Sequence, residues 1–194
     1  MKKIITPLAL LILAACNNSD KPTDSVEQAD SINKAKIDST TMNTAAPKIQ
    51  ADKATAEFLV EAANGGMAEV QLGNLAQQAA ASQAVKDFGK MMVQDHSKAN
   101  DVVKALAMQR DVTLPDSVGG DAAKMIADLK DKKGSDFDKA YVKGMIKDHE
   151  EDIKVFKDAA DKVNDAEVKT FINNTIPTLE HHLDSIKAIR KMMK

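Results

Sequence analysis

Two stretches, FGKMMVQDH at 88–96 and YVKGMIKDH at 141–149, end on the same Asp-His pair and share an aromatic, a lysine and a Met-Val/Ile centre. The chain has four histidines, and His96 and His149 take this one repeated setting. A third, His182, and one acid, Glu69, interrupt long apolar stripes in the same way. Imidazoles and carboxylates exchange protons and ligate divalent metals. Three nitrogen donors and one oxygen donor suit zinc, iron, copper or nickel better than calcium or magnesium. The same groups can also satisfy one another by hydrogen bonding, because leaving any of them unpaired in a core is costly. Asp95 and Asp148 each adjoin a His and sit about 100° round a helix from it. They are placed either as acceptors that fix a neighbouring imidazole's tautomer or as solvated flanks. Met92 and Met145 stand one turn before His96 and His149 on the same face. Thioether with imidazole favours copper, while Met is also a common filler of helical cores. His181 points off its stripe and is expected at the surface.

Four helices are needed to carry this set. The first runs over roughly 52–80, with the stripe Phe58, Ala62, Gly65, Glu69, Leu72, Ala76. The second, about 83–110, reads Val85, Phe88, Met92, His96, Ala99, Val103, Leu106. The third, about 136–162, reads Phe137, Tyr141, Met145, His149, Ile153, Phe156, Ala160. The fourth, about 166–193, reads Val168, Phe171, Thr175, Leu179, His182, Ile186, Ile189. Steps of three and four residues mark one buried helix face. Tight turns at Ala79–Ser82 and Val163–Ala166 make two antiparallel hairpins. Ser135 and Asp138 read as a capping pair opening the third helix. Pro177 removes one helical amide from the fourth helix, which implies a kink before His182. Gly65 and Gly66 suggest close helix approach.

The fold class expected is therefore all-α: a four-helix bundle with a long second-to-third connection carrying a short extra helix over 120–131. Such a link can travel the bundle's length, as in the ferritin-like arrangement, or form a large loop in an up-down-up-down bundle. Glu69 lies about 12 residues before the first turn's centre and His96 about 15 after it, a difference of about 3–5 Å along the axis. His149 and His182 are matched about as well across the second turn. All four side chains are thus expected at one mid-bundle level.

The remaining sequence places this domain, 52–194. MKKIITPLALLILAACNNSD has two lysines, a short apolar run and small residues before Cys16, a secretory signal too short to span a membrane stably. Leu13-Ala14-Ala15-Cys16 resembles the lipobox of bacterial lipoproteins, which implies cleavage after residue 15 and lipidation of Cys16. Several acyl chains would anchor the protein firmly to a membrane, and Asn17 after the cysteine favours the outer membrane. With one cysteine no internal disulfide can form. Residues 16–51 lack aromatics and are rich in polar residues, so they read as a flexible tether with at most a transient helix around 25–37. Its coil span is roughly 30 Å. A net charge of −2 gives no reason to expect nucleic-acid binding.

GGMAEVQLGNLA (65–76), FGKMMVQDHSKAN (88–100), VTLPD (112–116), FDKAYVKGMIKDHE (137–150) and IPTLEHHL (176–183) occur in an order that resembles a bacterial family of predicted outer-membrane or periplasmic proteins, placed in the ferritin-like superfamily. The resemblance spans about 54–188 and implies a ferritin-like four-helix domain of unknown activity. Its matching polar positions are Glu69, Asp95, His96, Asp148, His149 and His182. The chain departs from di-iron ferritins, which carry Glu three residues before a ligating His. Here those positions hold Val93, Ile146 and Leu179, so ferroxidase chemistry is not expected. No Ser-His-Asp order, phosphate loop or metalloprotease helix suggests an enzyme. Two functions remain: a non-catalytic envelope protein, structural, stress-related or partner-binding, whose polar layer fixes helix register; or a metal-binding or metal-sensing module using Glu69, His96, His149 and His182.

Overall fold

The computed structural model describes residues 24–40 and 50–193; the expected signal segment, Cys16 and the rest of the expected tether lie outside the described residues. Those described are all-helical: α1 (Ser25–Thr40), α2 (Lys53–Ala79), α3 (Gln83–Gln109), α4 (Gly120–Lys130), α5 (Gly134–Lys162) and α6 (Ala166–Met192). The bounds of α2 to α6 lie within two residues of those read from the apolar stripes. Asp52 opens α2 by accepting from the Thr55 amide at 2.7 Å, and Asp165 opens α6 by accepting from Glu167 and Val168. Both satisfy amides that have no partner within the helix. Pro177 does not end α6, which runs on through it. Among the described residues no helix is long and apolar enough to cross a membrane.

The four long helices contact one another in a ring: α2 against α3, α3 against α6, α6 against α5 and α5 against α2. Their buried apolar residues form two separate clusters. One gathers Phe58, Leu59, Val103, Phe156, Ile172 and Leu179; the other gathers Leu72, Met92, Tyr141, Met145 and Ile186. Along every long helix the passage between clusters falls at the polar residue of the stripe. Ala63 and Leu72 flank Glu69, Met92 and Val103 flank His96, Met145 and Phe156 flank His149, and Leu179 and Ile186 flank His182. The same membership gives direction. α2 and α6 run from the first cluster to the second, and α3 and α5 run from the second to the first.

The helix ends hold this arrangement. Ala80, after α2, pairs with Gly134 at the start of α5. The α3–α5 connection, with α4 packed on α2 and α5, therefore runs from one end of the long helices to the other. At the opposite end Arg110 is buried and grips Asp165 through Nε and Nη2 at 2.8 and 2.6 Å. A bidentate guanidinium–carboxylate pair fixes both distance and plane, so the end of α3 is tied to the start of α6.

Two sequence expectations are corrected here. Asp138 does not cap its own helix with Ser135; Lys133 is the N-terminal flanking residue of α5 and makes no side-chain cap. The Asp138 carboxylate instead accepts from the Ala81 and Ser82 amides at 3.1 and 2.9 Å, binding the α2–α3 turn to α5. Ser25–Thr40, expected within a flexible tether with a transient helix around 25–37, is a formed helix packed on α2. Its docking combines polar bonds with apolar contacts of Val26 and Ile37. Asn33 donates to the Thr113 carbonyl at 2.8 Å and accepts from the Thr113 amide at 2.7 Å, and Asp24 accepts from the Gly120 amide at 2.7 Å. Buried Ala29 adds to the first apolar cluster.

A candidate metal centre between two half-cores

Glu69, His96, His149 and His182 come together. One ring nitrogen from each of the three histidines lies within 4.8 Å of the others. The ring centroids are 5.3 Å apart for His96–His182, 5.5 Å for His149–His182 and 6.2 Å for His96–His149. The Glu69 carboxylate lies across two of the rings, with Oε2 2.6 Å from His96 Nε2 and Oε1 3.3 Å from His149 Nε2. Glu69 is 1 % exposed, and His149 and His182 are fully buried. On the side of the second apolar cluster Phe88 covers the layer, its ring 6.3 Å from His149 and 6.4 Å from His182.

Hydrogen bonds orient the rings. His149 Nδ1 donates to the Met145 carbonyl at 3.1 Å. His182 Nε2 donates to Asp95 Oδ2 at 3.1 Å. Each bond assigns the proton to the outer nitrogen and leaves the inner one with its lone pair, the usual support of a metal-bound imidazole. Four inward atoms have no hydrogen-bond partner among the described residues: Glu69 Oε1, His96 Nε2, His149 Nε2 and His182 Nδ1. The short His96–Glu69 approach is therefore not aligned as a hydrogen bond. Unpaired buried polar atoms are rare and costly, and four facing one another are a feature of the site rather than of its packing.

The electrostatics suit neutral donors. Burial lowers His96 to about 4, and it lowers His149 to about 3, helped by His96 and His182. His182 is lowered to about 4, again chiefly by burial, with the Asp95 bond opposing. Burial pushes Glu69 up to about 8 and Asp148 up to about 8, Asp148 also feeling the Glu69 charge. At neutral pH the site thus offers three uncharged imidazoles beside two acids held toward their protonated forms. This buried group of His and Glu can hold a metal ion.

Asp95 accepts from His182 across the α3–α6 contact. Asp148 does not reach an imidazole of a neighbouring helix; it forms a second potential ligand group with Glu69 and His149, again within 4.8 Å. Met92 and Met145 are fully buried in the second apolar cluster, and Met145 bears on the site through its carbonyl. His181 is exposed. Sequence reasoning missed Tyr141, whose buried hydroxyl has no partner, and the acids Glu61 and Asp152. Asp152 is one turn beyond Asp148, and Glu61 two turns before Glu69. Those spacings were available as signals, but which helices face each other was not.

The sequence model of one family, described as Domain of unknown function (DUF4142), matches residues 39–189. The match begins inside α1 and ends inside α6. No curated protein and no solved structure matches the chain.

Proposed function

The chain belongs to this DUF4142 family, and we propose that its helical domain is a metal-binding or metal-sensing module that holds one divalent transition-metal ion. His96, His149 and His182 supply three nitrogens and Glu69 a carboxylate oxygen. The observation that carries this is the convergence, within 4.8 Å, of one nitrogen from each of three buried histidines, with Glu69 Oε2 2.6 Å from His96 Nε2 and Oε1 3.3 Å from His149 Nε2. Tetrahedral zinc places such donors about 3.3 Å apart, given bonds of about 2.0–2.1 Å. A layer serving only helix register would satisfy itself internally, and this one does not. The N₃O donor set suits zinc, iron or copper.

The ring of contacts and the helix directions support an up-down-down-up four-helix bundle of ferritin-like type, with the α3–α5 link as its lengthwise crossover. Lipidation at Cys16 would tether the domain to the outer membrane, facing the periplasm. The role is non-catalytic, since four protein ligands close the coordination sphere where a catalytic ion keeps a position open. The test is metal content. Wild-type protein offered zinc, iron(II) or copper(II) and then desalted is expected to retain one ion per chain, and the His96→Ala/His149→Ala variant none. Equal, negligible metal in both would end the proposal.

A further inference from the structure

We propose that Glu61 and Asp152 form the acidic route by which a hydrated divalent cation reaches and leaves the buried centre, a reading that rests on metal binding there. A cavity of about 30 Å³ abuts the site, lined by Glu61, Gly65 and Glu69 from α2, His96 and Asn100 from α3, and Asp152 from α5. That volume exceeds the space one water needs. Its far wall is apolar, with Phe156 and Leu179, so its polar lining leads to Glu69 and His96. Exposure falls in steps along that lining: Glu61 is exposed, Asp152 half-buried and Glu69 buried.

The spacing fits a path. Glu61, Gly65 and Glu69 lie four residues apart on one face of α2, which sets the outer and inner carboxylates about 12 Å apart along the axis. A side chain built at Gly65 would meet nothing within 4 Å, so the helix leaves an opening between them. Across it Asp152 stands one turn beyond Asp148 on α5. Three neighbouring acids on these helices are paired with lysines: Glu57 with Lys53, Glu151 with Lys147 and Glu150 with Lys187. Among the described residues Glu61, Asp148 and Asp152 have no lysine or arginine partner. A carboxyl group with no basic partner can take up a passing cation in exchange for its proton, which eases passage in both directions. Glu61 and Asp152 stand outside both potential ligand groups, so they act on passage rather than on affinity.

Rates separate the two. Zn²⁺ loading is followed by stopped-flow, and release by transfer to a chromogenic chelator, for wild type and Glu61→Gln/Asp152→Asn. Both rates are expected to fall about tenfold in the variant at low salt, with unchanged equilibrium affinity and a smaller difference at high salt. Gly65→Leu, which fills the opening without changing charge, is expected to slow both rates as well. Wild-type rates and affinity in both variants would overturn the route while leaving the metal centre standing. A weakened affinity, with faster release, would overturn it too, by making these acids ligands. Wild-type protein that takes up no Zn²⁺ would overturn the centre itself and the route with it.

Discussion

Three uncharged imidazoles next to a protonated acid pair are how a buried polar cluster is tolerated in this core, and this has a measurable consequence. Each histidine binds its proton more weakly folded than unfolded, where its value is near 6.5. The unfolded chain therefore gains protons first, and metal-free stability falls as pH drops from about 6.5 toward 4. Glu69 and Asp148 are shifted the other way, from 4.5 and 3.8 to about 8. Their contribution is complete at low pH and is lost as pH rises from about 4.5 to 8. Metal-free protein should thus be most stable near pH 5–6, as read from denaturant midpoints between pH 4 and 9 in EDTA. Saturating Zn²⁺ replaces the Glu69 proton and should flatten the alkaline side. A metal-free stability that climbs steadily to pH 8 would contradict the carboxylate assignment. Asp95 gives a second test at this scale. Asp95→Asn keeps the size but loses the charge behind His182 Nε2, and should weaken Zn²⁺ binding about 10–100-fold in chelator competition. The spacing of Asp95 from His96 announced this role. The identical spacing of Asp148 from His149 misled, because the facing residue there is a carboxylate on α2 rather than an imidazole.

At the level of elements, what could be read depended on which forces place each helix. The long helices follow apolar stripes, a local signal, and their bounds and the level of the polar layer were legible for that reason. For α1 a helix was legible around 25–37 but its docking was not, because its stripe of Val26, Ala29 and Ile37 is thin and polar contacts to the 111–120 segment supply much of the hold. Asp138 escaped likewise: a cap on a turn 56 residues away looks in sequence like a cap on its own helix. Glycine spacing shows the same limit. Gly65 and Gly66 suggested close approach, yet only Gly66 is crowded, by Asn100. The tight backbone contact lies at Gly73, where an added Cβ would be 2.5 Å from the Gly89 carbonyl oxygen. Gly73→Ala should therefore cost about 1–3 kcal/mol by forcing α2 and α3 apart. Gly65→Ala, with open space around it, should gain up to about 1 kcal/mol in helix propensity. Chemical denaturation of the two variants decides this, and equal effects would place the α2–α3 contact elsewhere. Asp138→Ala should lower the melting temperature by leaving the Ala81 and Ser82 amides without their acceptor, a loss of about 1–3 kcal/mol.

Across the whole molecule the two apolar clusters are separated by the polar layer, and all four long helices contribute to both. Neither half-core is complete without the other, so the chain should unfold as one unit even though its middle is its least satisfied part. A metal ion bound there would bridge all four long helices at once, and it would do so only in the folded state, because the ligands are 113 residues apart at the extremes of 69 and 182. Binding energy at such a site becomes folding energy. Zn²⁺ at about a thousand times its dissociation constant should add about 4 kcal/mol to stability, removed again by EDTA. Amide exchange should locate the effect: helical amides near Glu69, His96, His149 and His182 slow most on metal addition, while α1 and α4, outside the ring, change least. A uniform slowing from end to end would mean the ion adds only to global stability. Protection centred on α1 or α4 would place the ion away from the seam, and the four converging polar residues would then need another explanation.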